Sequence, residues 1–142
     1  SIDYSIEHIK TPLLVVLGHE GCGAVTAVVD GAHAEGDLSK LVAHITPAVE
    51  DARRMFPGVE RDALISAAVE QNVWHSIEDL FTHSPTVCEA IAKGSLRVEG
   101  AVYDLKTGYV FWLGAHPQQA ELLKSHGHGP ADGAGASRGT AQ

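Results

Sequence analysis

The sequence predicts an α/β fold in which a mostly parallel sheet is flanked by helices. Leu13 to Leu17 is a run of five aliphatic residues that stops at Gly18, the pattern of a strand buried on both faces inside a parallel sheet. Two long stretches, from Leu38 to Val49 and from Ile65 to Leu80, repeat apolar residues at helical spacing and are long enough to cover such a sheet. Near the end, Leu96 to Tyr103 and Tyr109 to Leu113 read as two further strands.

Taken in order, Ile2, Ile6 and Ile9 mark a first helix, with Asp3 near its start where a negative charge suits the helix dipole. Thr11-Pro12 ends it and the apolar strand follows. A helix from Ala24 to Val29 stops at Asp30-Gly31, and a polar loop leads to Asp37, read as an N-cap. Leu38, Leu41, Val42, Ile45 and Val49 form the stripe of a long helix expected to kink at Pro47. After Pro57-Gly58, Ile65, Val69, Val73, Ile77 and Leu80 form the stripe of a second. Ser84-Pro85 supplies an N-cap and a first-turn proline for a short helix that Gly94 closes. Asp104, Lys106, Thr107 and Gly108 make the turn between the last two strands. From Gly114 the composition turns to Gly, Ala, Ser and His, read as a largely flexible tail over 114–142, in which Ala120 to Leu123 could add a helical turn.

With 142 residues, 44% of them hydrophobic, the chain has length for one domain, placed at 1–113. A net charge of −8 argues against nucleic acid or an anionic membrane surface as partner. No run of 18 apolar residues is present to span a bilayer. The two cysteines, Cys22 and Cys88, make a disulfide framework implausible and point to a reducing, cytoplasmic setting.

The segment Gly18-His19-Glu20-Gly21-Cys22-Gly23 carries the chemistry. A loop that leaves the carboxyl end of a buried strand lies where open α/β sheets place their ligands. Imidazole and thiolate are both good ligands for zinc, and Cys22 falls where the next helix begins, whose positive end favours thiolate. The residues alone support two readings: half of a zinc site, or a buried His and a free Cys with no metal. A catalytic zinc needs three protein ligands and one open position.

Several segments together resemble the β-class carbonic anhydrases. Ser1-Ile2-Asp3-Tyr4-Ser5-Ile6 followed by Val15-Val16-Leu17-Gly18-His19-Glu20-Gly21-Cys22-Gly23-Ala24-Val25 is similar to that family's second zinc motif and its approach. Glu70-Gln71-Asn72-Val73, then Val98-Glu99-Gly100-Ala101-Val102-Tyr103-Asp104 with Thr107-Gly108, continue the likeness in order and approximate spacing to about residue 113. The resemblance implies zinc as cofactor, with His19 and Cys22 as two of its ligands. It also implies reversible hydration of carbon dioxide to bicarbonate, and a homo-oligomer, dimer or tetramer.

The family's first motif, C-x-D-x-R, has no counterpart in these residues. The resemblance places it upstream of Ser1, where it would supply the third ligand and the Asp–Arg pair; no catalytic residue of that pair is visible here. The fold is therefore expected to be incomplete, the C-terminal part of a β-carbonic-anhydrase-like domain. The strand inventory agrees: Leu13–Leu17 wants a neighbour on each edge, and only one other candidate strand could lie parallel to it. A complementary segment or chain carrying C-x-D-x-R would provide both.

By the same resemblance Tyr4 lines an apolar substrate pocket, against a reading as one core aromatic on an amphipathic helix. Gly23 could offer its N–H to a substrate oxygen, or serve only a tight turn. Cys88 lies mid-helix beside apolar residues and reads as structural. His126-Gly127-His128 reads as a solvated histidine pair. Two other functions stay open: a non-catalytic structural or interaction subunit, and a hydrolase of carbonyl sulfide or carbon disulfide.

Overall fold

The computed structural model describes residues 1–32 and 35–125. Three strands form one sheet in the order β1-β2-β3, with β1 Leu13–His19, β2 Arg97–Tyr103 and β3 Val110–Gly114. β1 and β2 are parallel, in register from Leu13 opposite Arg97 to His19 opposite Tyr103. β3 returns antiparallel, pairing Trp112 with Ala101 and Val110 with Tyr103, with an irregularity at Gly100/Ala101. The sheet is mixed, with one parallel and one antiparallel pair, and it is the small α/β sheet of an incomplete fold.

Helices cover one face. α1 (Ile2–Tyr4) widens into a π-helical turn, Ser5–Ile9, that ends with Lys10 in the left-handed region. α2 is Gly23–Val29, α3 Asp37–Met55, α4 Arg61–His83, α5 Pro85–Ala92 and α6 Gln119–Ser125. α4 is the hub, packing on α2, α3, β1 and β2. Ile77, Phe81 and Val73 on α4 are among its fully buried side chains, with Val25 of α2 and Val49 of α3. Helix and sheet meet at two glycines. A Cβ at Gly18 would sit 2.7 Å from Val73 Cγ2, and one at Gly100 2.9 Å from Val73 Cγ1, so both positions need the missing side chain for α4 to lie this close.

Ser84 caps α5 as its sequence suggests, its Oγ accepting from the Val87 N–H at 3.3 Å with Pro85 in the first turn. Elsewhere the structure corrects the sequence. Asp37 is not the N-cap of α3 but its first residue; Gly36, at φ 64°, precedes it. α3 continues through Pro47, and the Thr46 hydroxyl donates to the Val42 carbonyl at 2.7 Å in that turn.

β1 is not buried on both faces. Leu13, Val15 and Leu17 are 39%, 37% and 55% exposed, because the helices cover only the face of Leu14, Val16 and Gly18. By register the open face also carries Tyr103, Val110 and Trp112. The second edge of β1 has no partner strand among the described residues.

The packed body also runs past residue 113. His116 and Leu123 are buried, and the helical turn expected at Ala120 to Leu123 is α6. Composition could not show this, because a single buried imidazole anchors the segment. His116 Nδ1 accepts the Gln118 N–H at 3.1 Å, its Nε2 lies 3.2 Å from Glu78 Oε1, and its ring meets Trp74 edge-on. Residues 126–142, with the His126/His128 pair, lie outside the described residues.

Candidate metal centre

The candidate centre is assembled where β1 ends. Pairing with β2 continues one residue beyond the strand, the Glu20 N–H donating to the Tyr103 carbonyl at 2.8 Å. Gly21 then adopts φ 66°, a left-handed turn that a side chain would oppose. Cys22 follows as the extended N-cap of α2, its carbonyl accepting the Thr26 N–H at 2.9 Å. Strand end, glycine turn and helix start thus carry His19 and Cys22 within one short loop.

His19 is exposed and Cys22 half-buried with a free thiol. The His19 Nδ1–H donates to the Glu20 carbonyl at 3.1 Å, which leaves Nε2 as the ring nitrogen with a lone pair for a metal. An imidazole in that tautomer and a free thiol fit zinc in donor type. They do not complete it: among the described residues no three His, Cys, Asp or Glu side chains gather in a way that could hold a metal ion. Cys88 is no substitute. It is fully buried in α5, its thiol donates to the Phe81 carbonyl at 3.2 Å, and burial pushes that thiol up.

Gly23, the second substrate-binding candidate, is exposed and begins α2, so its N–H is one of the first-turn amides that lack an intrahelical acceptor. The other candidate, Tyr4, is not brought to this loop. Its neighbour Asp3 accepts from the Ser84 hydroxyl at 2.6 Å, at the far end of α4. The metal loop touches α4 at Ser66, whose hydroxyl donates to Glu20 Oε2 at 3.1 Å. At about 1.5 Å per helical residue, Ser66 and Leu80 are roughly 20 Å apart. Tyr4 is 60% exposed, and its ring stacks on His8 at 4.4 Å between centroids. His8 was not singled out from the sequence; its four-residue spacing from Tyr4 was the available signal.

Beside the metal loop a cleft of about 670 Å³ opens between α4 and the β2–β3 turn, lined by Glu20, Gly21, Ser66, Asp104 and Phe111 among others. Arg61 at its rim forks onto Asp30 at 2.8 and 2.7 Å, tying the start of α4 to the end of α2 and holding the Asp30 carboxyl below its usual range.

The carbonic anhydrase family model matches residues 1–110. The chain belongs to the β-carbonic anhydrase family. It is 34% identical over 112 residues to carbonic anhydrase 2 of Mycobacterium tuberculosis, an alignment covering 76% of this chain and 52% of that protein. With the carbonic anhydrase of Mycolicibacterium smegmatis it shares 31% over 114 residues, 78% of this chain and 53% of the other. It therefore spans about half the length of the curated relatives it matches. Among solved structures, the β-carbonic anhydrase CafA of Aspergillus fumigatus superposes with a TM-score of 0.73 at 27% identity, over 87% of this chain and 58% of that one. The Coccomyxa β-carbonic anhydrase in complex with acetazolamide also gives 0.73 at 27%, over 88% and 60%. A tetrameric β-carbonic anhydrase of Sordaria macrospora gives 0.69 at 27%, over 80% and 58%.

Proposed function

We propose that the chain forms the C-terminal part of a zinc-dependent carbonic anhydrase that interconverts carbon dioxide and bicarbonate. The observation that carries this reading is the His19–Cys22 loop, with its free thiol and its imidazole bound through Nδ1 to the Glu20 carbonyl, in a chain of this family. When bound, zinc supplies the acidity that makes water a nucleophile near neutral pH. His19 and Cys22 would hold it, and the Gly23 N–H would orient a substrate oxygen. The third ligand and the Asp–Arg pair are assigned to a segment carrying C-x-D-x-R.

The edge of β1 that lacks a partner strand among the described residues, beside the His19–Cys22 loop, supports such a segment. The open sheet face, with Leu13, Val15, Leu17 and Trp112, is assigned to a partner subunit of a dimer or tetramer. Such an assembly also gives Tyr4 a role, since Tyr4 can reach a metal centre only across a subunit contact. A reducing, cytoplasmic setting belongs to the same proposal, and a chain whose two cysteines are unpaired supports it.

The reading is tested by zinc content and by stopped-flow carbon dioxide hydration in the full-length protein. His19→Ala and Cys22→Ala should each remove both. Zinc uptake indifferent to both substitutions would overturn it and favour a non-catalytic subunit. Faster turnover of carbonyl sulfide than of carbon dioxide would reassign the substrate.

A further inference from the structure

Glu20, between the two candidate ligands, is held through its N–H, its carbonyl and one carboxylate oxygen. Its N–H donates to the Tyr103 carbonyl of β2 at 2.8 Å, its carbonyl accepts the His19 Nδ1–H at 3.1 Å, and its carboxylate accepts the Ser66 hydroxyl of α4 at 3.1 Å. Ser66 shares a helical face with Val69 and Val73, three and seven residues on. Those two valines are the side chains against which Gly18 of β1 closes, Val69 at 3.2 Å and Val73 at 2.7 Å from where its Cβ would be. The close approach fixes the position of α4 against the end of β1, and so fixes where the Ser66 hydroxyl stands.

On the zinc reading above, we infer that Ser66 and Glu20 are positioning residues for His19. The hydroxyl on α4 holds the Glu20 side chain, which holds the Glu20 carbonyl, and that carbonyl fixes the tautomer and the aim of the His19 ring. α4 thereby orients a metal ligand it does not touch. Outer-shell groups that orient a ligating imidazole typically matter 10–100-fold in metal affinity.

The test is zinc affinity by chelator competition in the full-length protein, with the visible absorption of the cobalt-substituted protein as a second readout. Ser66→Ala and Glu20→Ala should each weaken zinc binding about 10-fold and shift the cobalt bands. The double variant should be no weaker than either single one, since both remove the same bond. Ser66→Thr, which keeps the hydroxyl, should restore affinity and spectrum. Ser66 is exposed and alanine is the better helix former, so Ser66→Ala should fold normally. His19→Ala separates the two levels. If it leaves zinc affinity intact, the metal reading fails and this inference with it. If it abolishes binding while Ser66→Ala and Glu20→Ala keep wild-type affinity and spectrum, or weaken it additively, the inference alone is overturned.

Discussion

Two single positions control how α4 meets the sheet, and both are glycines. At Gly18 an added methyl would lie 2.7 Å from Val73 Cγ2 and 3.2 Å from Val69 Cγ1, and Val73 is fully buried, so it has no free space to retreat into. Gly18→Ala is therefore expected to cost about 1–3 kcal/mol, the usual range for overpacking, measured by chemical denaturation. Adding Val73→Ala should recover part of that loss, a coupling that a purely local backbone effect would not show. The candidate ligands His19 and Cys22 stand out in the sequence because they sit three residues apart at the end of an apolar run. The Glu20–Ser66 bond does not, because 46 residues separate its partners and neither type is distinctive. Tyr4 was found from family likeness and then placed far from His19, a separation that only the length of α4 reveals.

At the scale of elements, periodicity located nearly every helix and strand but misjudged one environment. Five aliphatic residues in a row indicate a strand buried on both faces only when both faces are covered, and here the cover for Leu13, Val15 and Leu17 is not in the described residues. α3 runs through Pro47, whose side chain is exposed. Proline in a helix interior removes a backbone bond, so Pro47→Ala is expected to raise stability, by roughly 1–3 kcal/mol in thermal or urea unfolding. The β2–β3 turn offers a pH test. Asp104 accepts from the Thr107 hydroxyl at 2.7 Å and the Lys106 N–H at 2.8 Å, and these bonds hold its carboxyl below the usual range. A carboxyl whose folded pKa is lowered contributes stability that is full above its unfolded value, about 3.9, and is lost as pH falls through the folded value. Wild type should therefore exceed Asp104→Asn in thermal stability near pH 6, and the gap should close as the pH drops well below 4. A constant gap across that range would show that the bonds, not the charge, hold the turn.

For the whole molecule, the proposed function makes one feature of two: among the described residues β1 has a single strand neighbour, and no third ligand gathers with His19 and Cys22. Among the described residues, the edge of β1 without a partner strand and its exposed side chains end at the loop that holds His19 and Cys22, candidates for two of the three protein ligands a catalytic zinc requires. A segment that added a strand along that edge would carry its own carboxyl-end residues to His19 and Cys22 in the same step. Chain completion and metal loading should therefore be one event. Expressed alone, residues 1–142 are expected to bind zinc weakly, to lack carbon dioxide hydration, and to self-associate through the open edge and the apolar face around Leu17 and Trp112. Supplying a segment with C-x-D-x-R, in the same chain or as a separate polypeptide, should restore zinc at one equivalent, activity and a defined oligomer together. Light scattering, zinc content and stopped-flow hydration on the same samples follow the three properties. Substituting the cysteine of that segment should remove zinc and activity while leaving the strand, and hence the oligomer, in place. If the bare chain instead stays monodisperse, takes up one zinc tightly and hydrates carbon dioxide at enzyme-like rates, the missing strand and missing ligand are not the same object. The third ligand would then lie outside the described residues, and His126 and His128 would be the first to substitute.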